Sequence, residues 1–201
     1  MPGTVNSDKS TMPSIRAFIA VDINEDIRRE MRELHGILGK TGAKVSWVAP
    51  EKMHLTVIFL GDIPLESVSG VCDVMDRVAG EIQPFVVEIA GAGWFGSERS
   101  PKVLWADIPG PPKLLADLHG RLSAEIDSMG VPLETRPFRP HLTLGRVRGR
   151  RNTGALTSTL MSYKNSVFGR VDIDRLILYK SVLEAQGSRY ESLHESTLKG
   201  V

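Results

Sequence analysis

The sequence predicts a mixed helix-and-strand fold of two similar lobes around a shared groove. Three observations lead there. Helical and strand patterns recur in both halves without long linkers, and the order strand, helix, strand, helix or turn, strand appears twice. The tripeptide His-Leu-Thr occurs once in each half, as His54-Leu55-Thr56 and His141-Leu142-Thr143, each opening a strand-like run. Finally, 201 residues with 41% hydrophobic and 24% charged side chains suffice for one substantial core.

The elements follow in order. Residues 1–14 read as a flexible leader, and residues 15–201 as a single bilobal domain with a pseudo-twofold repeat. Arg16 to Val21 is a compact apolar strand. Asp22 or Asn24 caps a helix whose Ile27, Met31, Leu34 and Leu38 form one stripe, ended by Gly39 and Gly42. Val45 to Val48 is briefly extended, and Lys52 to Leu60 is the first His-Leu-Thr strand. Gly61-Asp62 with Pro64 reads as a turn into a helix over Leu65 to Val78. Phe85 to Ala90 is strand-like and leads into Gly91–Gly96, read as a glycine-rich loop exposing Trp94 and Phe95. Lys102 to Asp107 is a strand, Leu114 to Met129 a helix, and Pro137 and Pro140 bracket the approach to the strand at His141. A short helix near Ala155 to Leu160 precedes strands at Ser166 to Phe168, Val171 to Tyr179 and, at an edge, Tyr190 to Ser196.

Composition removes several function classes. Twenty-five basic against 24 acidic residues leave a formal charge of +1, unlike a strongly basic nucleic-acid coat. Arginine is nonetheless concentrated around the second tripeptide, as Arg136, Arg139, Arg146, Arg148, Arg150 and Arg151. Cys72 is the only cysteine, so no internal disulfide or thiolate metal cluster can form. No apolar run reaches membrane-spanning length, and a cytoplasmic protein is expected. The five histidines show no HExxH or i, i+4 ligand spacing, and His35 and His119 fall in helices, where surface or capping roles are expected. Gly91–Gly96 lacks the lysine and hydroxyl of a P-loop.

A strand repeats every two residues, so His and Thr at i and i+2 share a face. Imidazole exchanges protons near neutral pH, while threonine hydroxyls hold an anion without competing for the catalytic proton. Two such strands suit a cyclic phosphodiester: one imidazole takes a proton from water and the other protonates the departing ribose oxygen in line. Thr56 and Thr143 would contact the non-bridging oxygens.

The opening RAFIAV from Arg16, the segment WVAPEKMHLTVIFLG over Trp47 to Gly61, FRPHLTLGR over Phe138 to Arg146, and FGRVDIDRLILYKS over Phe168 to Ser181 carry a further reading. Together they make the chain resemble the two-histidine phosphoesterase superfamily, and within it the RNA 2',3'-cyclic phosphodiesterases, historically called 2'-5' RNA ligases. The resemblance implies an α+β bilobal fold with antiparallel sheets lining a central cleft and helices outside. It implies metal-independent, cofactor-free opening of an RNA terminal 2',3'-cyclic phosphate to a 2'-phosphomonoester, with ATP-independent 2'-5' ligation in reverse. His54 then corresponds to the general acid, His141 to the general base, and Thr56, Thr143 and Arg146 to the phosphate-binding groups. RNA ends, including tRNA fragments, are the implied partners, with no membrane involvement and a monomeric state. A phosphodiesterase for another cyclic nucleotide or a 2'-5' oligonucleotide, and a non-catalytic RNA-end binding module, stay open. Arg146 poses a parity question, because an offset of five places it opposite His141 on a regular strand. A bulge or strand end at Gly145 would turn it inward, or it would reach around the rim. Trp47, Trp94 and Phe95 are candidate base-stacking residues.

Overall fold

The computed structural model describes residues 13–110, 112–134, 136–184 and 187–200. Residues 1–12 of the expected leader lie outside this set. Pro13 accepts a backbone hydrogen bond from Leu65, and Ser14 opens the first strand.

Strand β1 (Ser14–Asp22) leads through Asn24 into α1 (Glu25–Gly39), the Asn24 side chain capping the helix by accepting from Ile27 N at 3.0 Å. The short strand β2 (Val45–Trp47) and a single 3-10 turn (Pro50–Lys52) precede β3 (His54–Pro64). Then come α2 (Ser67–Gly80), β4 (Phe85–Ala90), β5 (Ala92–Ser97), β6 (Ser100–Asp107) and α3 (Lys113–Ser128). The chain finishes with β7 (His141–Val147), α4 (Thr153–Met161), β8 (Val167–Ile173), β9 (Arg175–Glu184) and β10 (Gly187–Thr197).

All pairings among these strands are antiparallel, and the fold is α+β. One sheet runs β10-β9-β1-β3-β7-β6-β5 with β2 added to β7, while β4 and β8 form a separate ribbon. One face of the large sheet is apolar: Ala17, Ile19, Leu55, Leu104, Ala106 and Leu142 are all essentially inaccessible. They share a single core with the helix stripes Ile27, Met31, Leu34 and Leu38 of α1 and Leu115, Leu118, Leu122 and Ile126 of α3. Truncating any one of these leucines to alanine costs about 2–5 kcal/mol through lost transfer energy and a residual cavity. The opposite face carries the half-buried polar residues of β3 and β7.

Three elements differ from expectation. Gly91–Gly96 is not a loop: β5 pairs with β6 along most of it. Gly93 is glycine there for packing, because a Cβ would lie 2.4 Å from the Trp105 ring. Gly61-Asp62 is not a turn either; β3 continues to Pro64, with Gly61 at φ 71° beside a register shift. The break between the last long strands falls at Asp174 rather than at Gly169-Arg170, since residues 169–173 still pair with β4. Cys72 packs half-buried against the core, which raises its thiol pKa.

Candidate active site

The two His-Leu-Thr segments meet at the centre of the large sheet. Leu55 of β3 pairs with Leu142 of β7 and both side chains enter the core. Antiparallel alternation then turns His54, Thr56, His141 and Thr143 to the other face, where all four are half-buried. Counting outward from that pair along antiparallel strands sets His54 opposite Thr143 and Thr56 opposite His141, which makes the two histidines diagonal neighbours.

Both imidazoles are held in the same way. His54 Nδ1 lies 3.0 Å from Lys52 O, and His141 Nδ1 lies 2.6 Å from Arg139 O, each the carbonyl two residues upstream. A carbonyl only accepts, so Nδ1 donates in both rings and Nε2 is left to exchange protons. The carbonyls are fixed in turn: Lys52 ends the 3-10 turn, and Phe138, next to Arg139, stacks on His119 at 4.1 Å. His119 is therefore an anchor beneath the loop before His141, not the surface or capping residue expected.

The rings have different neighbours. His54 stacks on buried Phe18 at 4.6 Å and meets Tyr190 edge-on at 5.2 Å, and Tyr179 donates to Asp22 Oδ1 at 2.9 Å beside it. Burial lowers the His54 pKa, with Lys52 O and the charge of Asp22 opposing. Burial and the bond to Asp22 push the Tyr179 hydroxyl well above its ordinary value. A cavity of about 230 Å³ opens next to His54, lined by Asp22, Lys52, Tyr179, Arg189 and Tyr190 among others. Beside His141, Phe95 lies edge-on at 5.1 Å and packs on Trp105, the register neighbour of Thr143. Of the candidate stacking residues, only Phe95 reaches a histidine of the pair. Trp47 packs on His35 at 4.7 Å and Trp94 against the core. The aromatic groups around His54 are missing from the sequence-based expectations, although Phe18 and Tyr179 fall inside the most distinctive segments of the chain.

A β-bulge resolves the parity question at Arg146. Trp105 pairs with Thr143 but Leu104 pairs with Gly145, so Leu144 is an extra residue and the alternation shifts. Leu144 and Gly145 are both buried, and Arg146 emerges exposed on the face of His141 and Thr143. The bulge is pinned through Leu144 O, which accepts from Val48 N at 2.9 Å and from His35 Nε2 at 3.1 Å. His35 is thus half-buried behind the site, and burial lowers its pKa. The first copy bulges at the same offset: Ala20 pairs with Thr56 and Ile19 with Ile58, leaving Val57 extra and Phe59 in the position of Arg146. Arg16 covers the Phe59 ring at 4.9 Å. His194 bonds Asp76 at 2.9 Å, away from this site.

An antiparallel α+β fold whose central strands present two His-Thr pairs on one face defines a two-histidine phosphoesterase. The chain belongs to the LigT-like phosphoesterase family: the family model described as LigT like Phosphoesterase matches residues 21–105 and 107–190. It is 32% identical to the RNA 2',3'-cyclic phosphodiesterase of Methanothermobacter thermautotrophicus over 179 residues, covering 89% of this chain and 96% of that one. To the enzyme of the same name from Thermotoga maritima it is 30% identical over 186 residues, covering 92% and 97%. Among solved structures, TT0787 of Thermus thermophilus superposes with a TM-score of 0.78 at 26% identity, covering 92% of this chain and 99% of that one. Escherichia coli LigT solved with 3'-AMP shares the fold, with a TM-score of 0.76 at 23% identity over 93% of this chain and 99% of its own. Among the described residues no helix is long and apolar enough to cross a membrane.

Proposed function

We propose that this chain is a metal-independent RNA 2',3'-cyclic phosphodiesterase that opens a terminal cyclic phosphate to the 2'-phosphomonoester. The observation that carries the reading is the Leu55–Leu142 pairing, which gathers two proton carriers and two hydroxyls on one face. The names of the relatives, each matched over nearly its whole length, support the same substrate.

In this reading His141 Nε2 takes a proton from water as its oxygen attacks phosphorus, and His54 Nε2 delivers one to departing O3'. Thr56 and Thr143 donate to the non-bridging oxygens, and the Arg146 guanidinium balances their charge. Burial favours neutral His54 in the free protein; the anionic phosphodiester, once bound, favours the imidazolium that the acid role requires. Two imidazoles complete both proton transfers, so the reaction as proposed calls on no further acid or base. With a 5'-hydroxyl RNA end in place of water, the same steps form a 2'-5' linkage without ATP. The two halves act as one bilobal catalytic unit related by a pseudo-twofold axis, each supplying one His and one Thr. RNA ends such as tRNA fragments are the substrates, and the protein works as a cytoplasmic monomer.

His54→Ala and His141→Ala are the test, assayed on a cyclic-phosphate-ended oligonucleotide. Each variant keeps its fold by circular dichroism and loses at least about a hundredfold in kcat. Near-normal turnover by either folded variant contradicts its assigned role.

A further inference from the structure

We infer that the aromatic surface of Phe95 beside His141 is a subsite for an incoming nucleoside carrying a free 5'-hydroxyl, the alcohol that replaces water in the transfer reaction. This rests on the reading that His141 activates the nucleophile. In-line displacement puts attacking and leaving oxygens on opposite sides of phosphorus. The leaving O3' and its nucleoside then belong to the His54 side, where the cavity lies. Whatever enters opposite O3' arrives beside His141 and meets Phe95, half-buried, with its ring 5.1 Å from the imidazole.

The support beneath Phe95 is built for a rigid platform. Trp105, across from Thr143, lies against Gly93, where any Cβ would collide with its ring at 2.4 Å. Phe95 packs on that indole with centroids 5.6 Å apart. Glycine at 93 thus lets the indole lie close to β5, and the indole holds Phe95 at the edge of the site. A water nucleophile needs no such surface, whereas a nucleoside has a base that stacks on it. The step balances: the 5'-oxygen–phosphorus bond forms, the phosphorus–O3' bond breaks, His141 takes the 5'-hydroxyl proton and His54 supplies one to O3'. The products are a 2'-5' phosphodiester and a free 3'-hydroxyl.

The experiment gives a cyclic-phosphate-ended oligonucleotide to wild type, Phe95→Leu and Phe95→Trp, with a 5'-hydroxyl dinucleotide or methyl riboside at increasing concentration. It measures the ratio of joined to hydrolysed product. In wild type the ratio saturates with the dinucleotide; Phe95→Leu raises the half-saturating concentration about tenfold, and Phe95→Trp restores it. Transfer to methyl riboside, which has no base, is the same relative to hydrolysis in all three proteins. A ratio indifferent to residue 95, an equal change with methyl riboside, or hydrolysis without any joined product overturns the subsite. Failure to hydrolyse the cyclic phosphate with no acceptor present instead overturns the reading on which it rests.

Discussion

Replacing Gly145 with alanine tests how the bulge builds the site. A Cβ at this position would lie 2.8 Å from Val45 Cγ1, 3.0 Å from Ser46 O and 3.1 Å from Trp47 Cε3. One of these atoms is backbone and one belongs to a stiff β-branched side chain, so the methyl group is accommodated only by moving β2. Overpacking of this kind costs about 1–3 kcal/mol, or roughly 2–12 °C in Tm at this chain length. The displacement has two functional consequences. Strand β2 pairs Ser46 with Arg146, and its chain continues into the turn whose Lys52 carbonyl orients His54. A shift of about 1 Å in a reacting group can cost about a hundredfold in rate. Urea unfolding and kcat/KM on a cyclic-phosphate-ended oligonucleotide read both effects. An unchanged urea midpoint together with unchanged kcat/KM refutes the argument.

Other expectations follow from the same geometry. His35→Leu removes the imidazole donor to Leu144 O, which keeps its bond from Val48 N; it should cost about 0.5–1.5 kcal/mol and raise KM, with His35→Gln recovering part of the loss. Trp105→Phe removes an indole N–H that is buried without an acceptor among the described residues, so urea unfolding should show a change below about 1 kcal/mol. Burial lowers the pKa of His35, His54 and His119, so the unfolded chain binds protons that the native state resists. Their contribution to stability is complete above the ordinary histidine value near 6.5 and declines as pH falls toward the native values. Urea midpoints across pH 5–8 should therefore drop on the acid side, with a smaller drop in His54→Gln. Thr56→Val and Thr143→Val should each weaken turnover less than loss of a histidine, and unchanged kinetics in both would remove the threonines from the phosphate site.

What could be read in the sequence was governed by local periodicity. The i, i+2 spacing of His54 and Thr56, and of His141 and Thr143, suffices to place each pair on one face, and the helix stripe from Ile27 to Leu38 suffices for α1. The same alternation exposed the difficulty at Arg146 and named a bulge as one answer. It could not choose that answer, because the bulge is fixed by Val48 and His35, both distant in sequence from Leu144. The Gly91–Gly96 segment misled for a related reason: its glycines look like loop punctuation until Trp105 is seen lying over Gly93. Tyr179 and Tyr190 reach His54 only through the strand order β10-β9-β1-β3, which no local pattern encodes.

The most direct measurement is phosphorus NMR of the product formed from a 2',3'-cyclic-phosphate-ended oligonucleotide in excess EDTA. The account predicts a 2'-phosphomonoester at undiminished rate, formed by wild type and not by the His54 or His141 variants. A 3'-phosphomonoester would reverse the leaving-group assignment, and loss of turnover in EDTA would contradict the metal-independent mechanism itself.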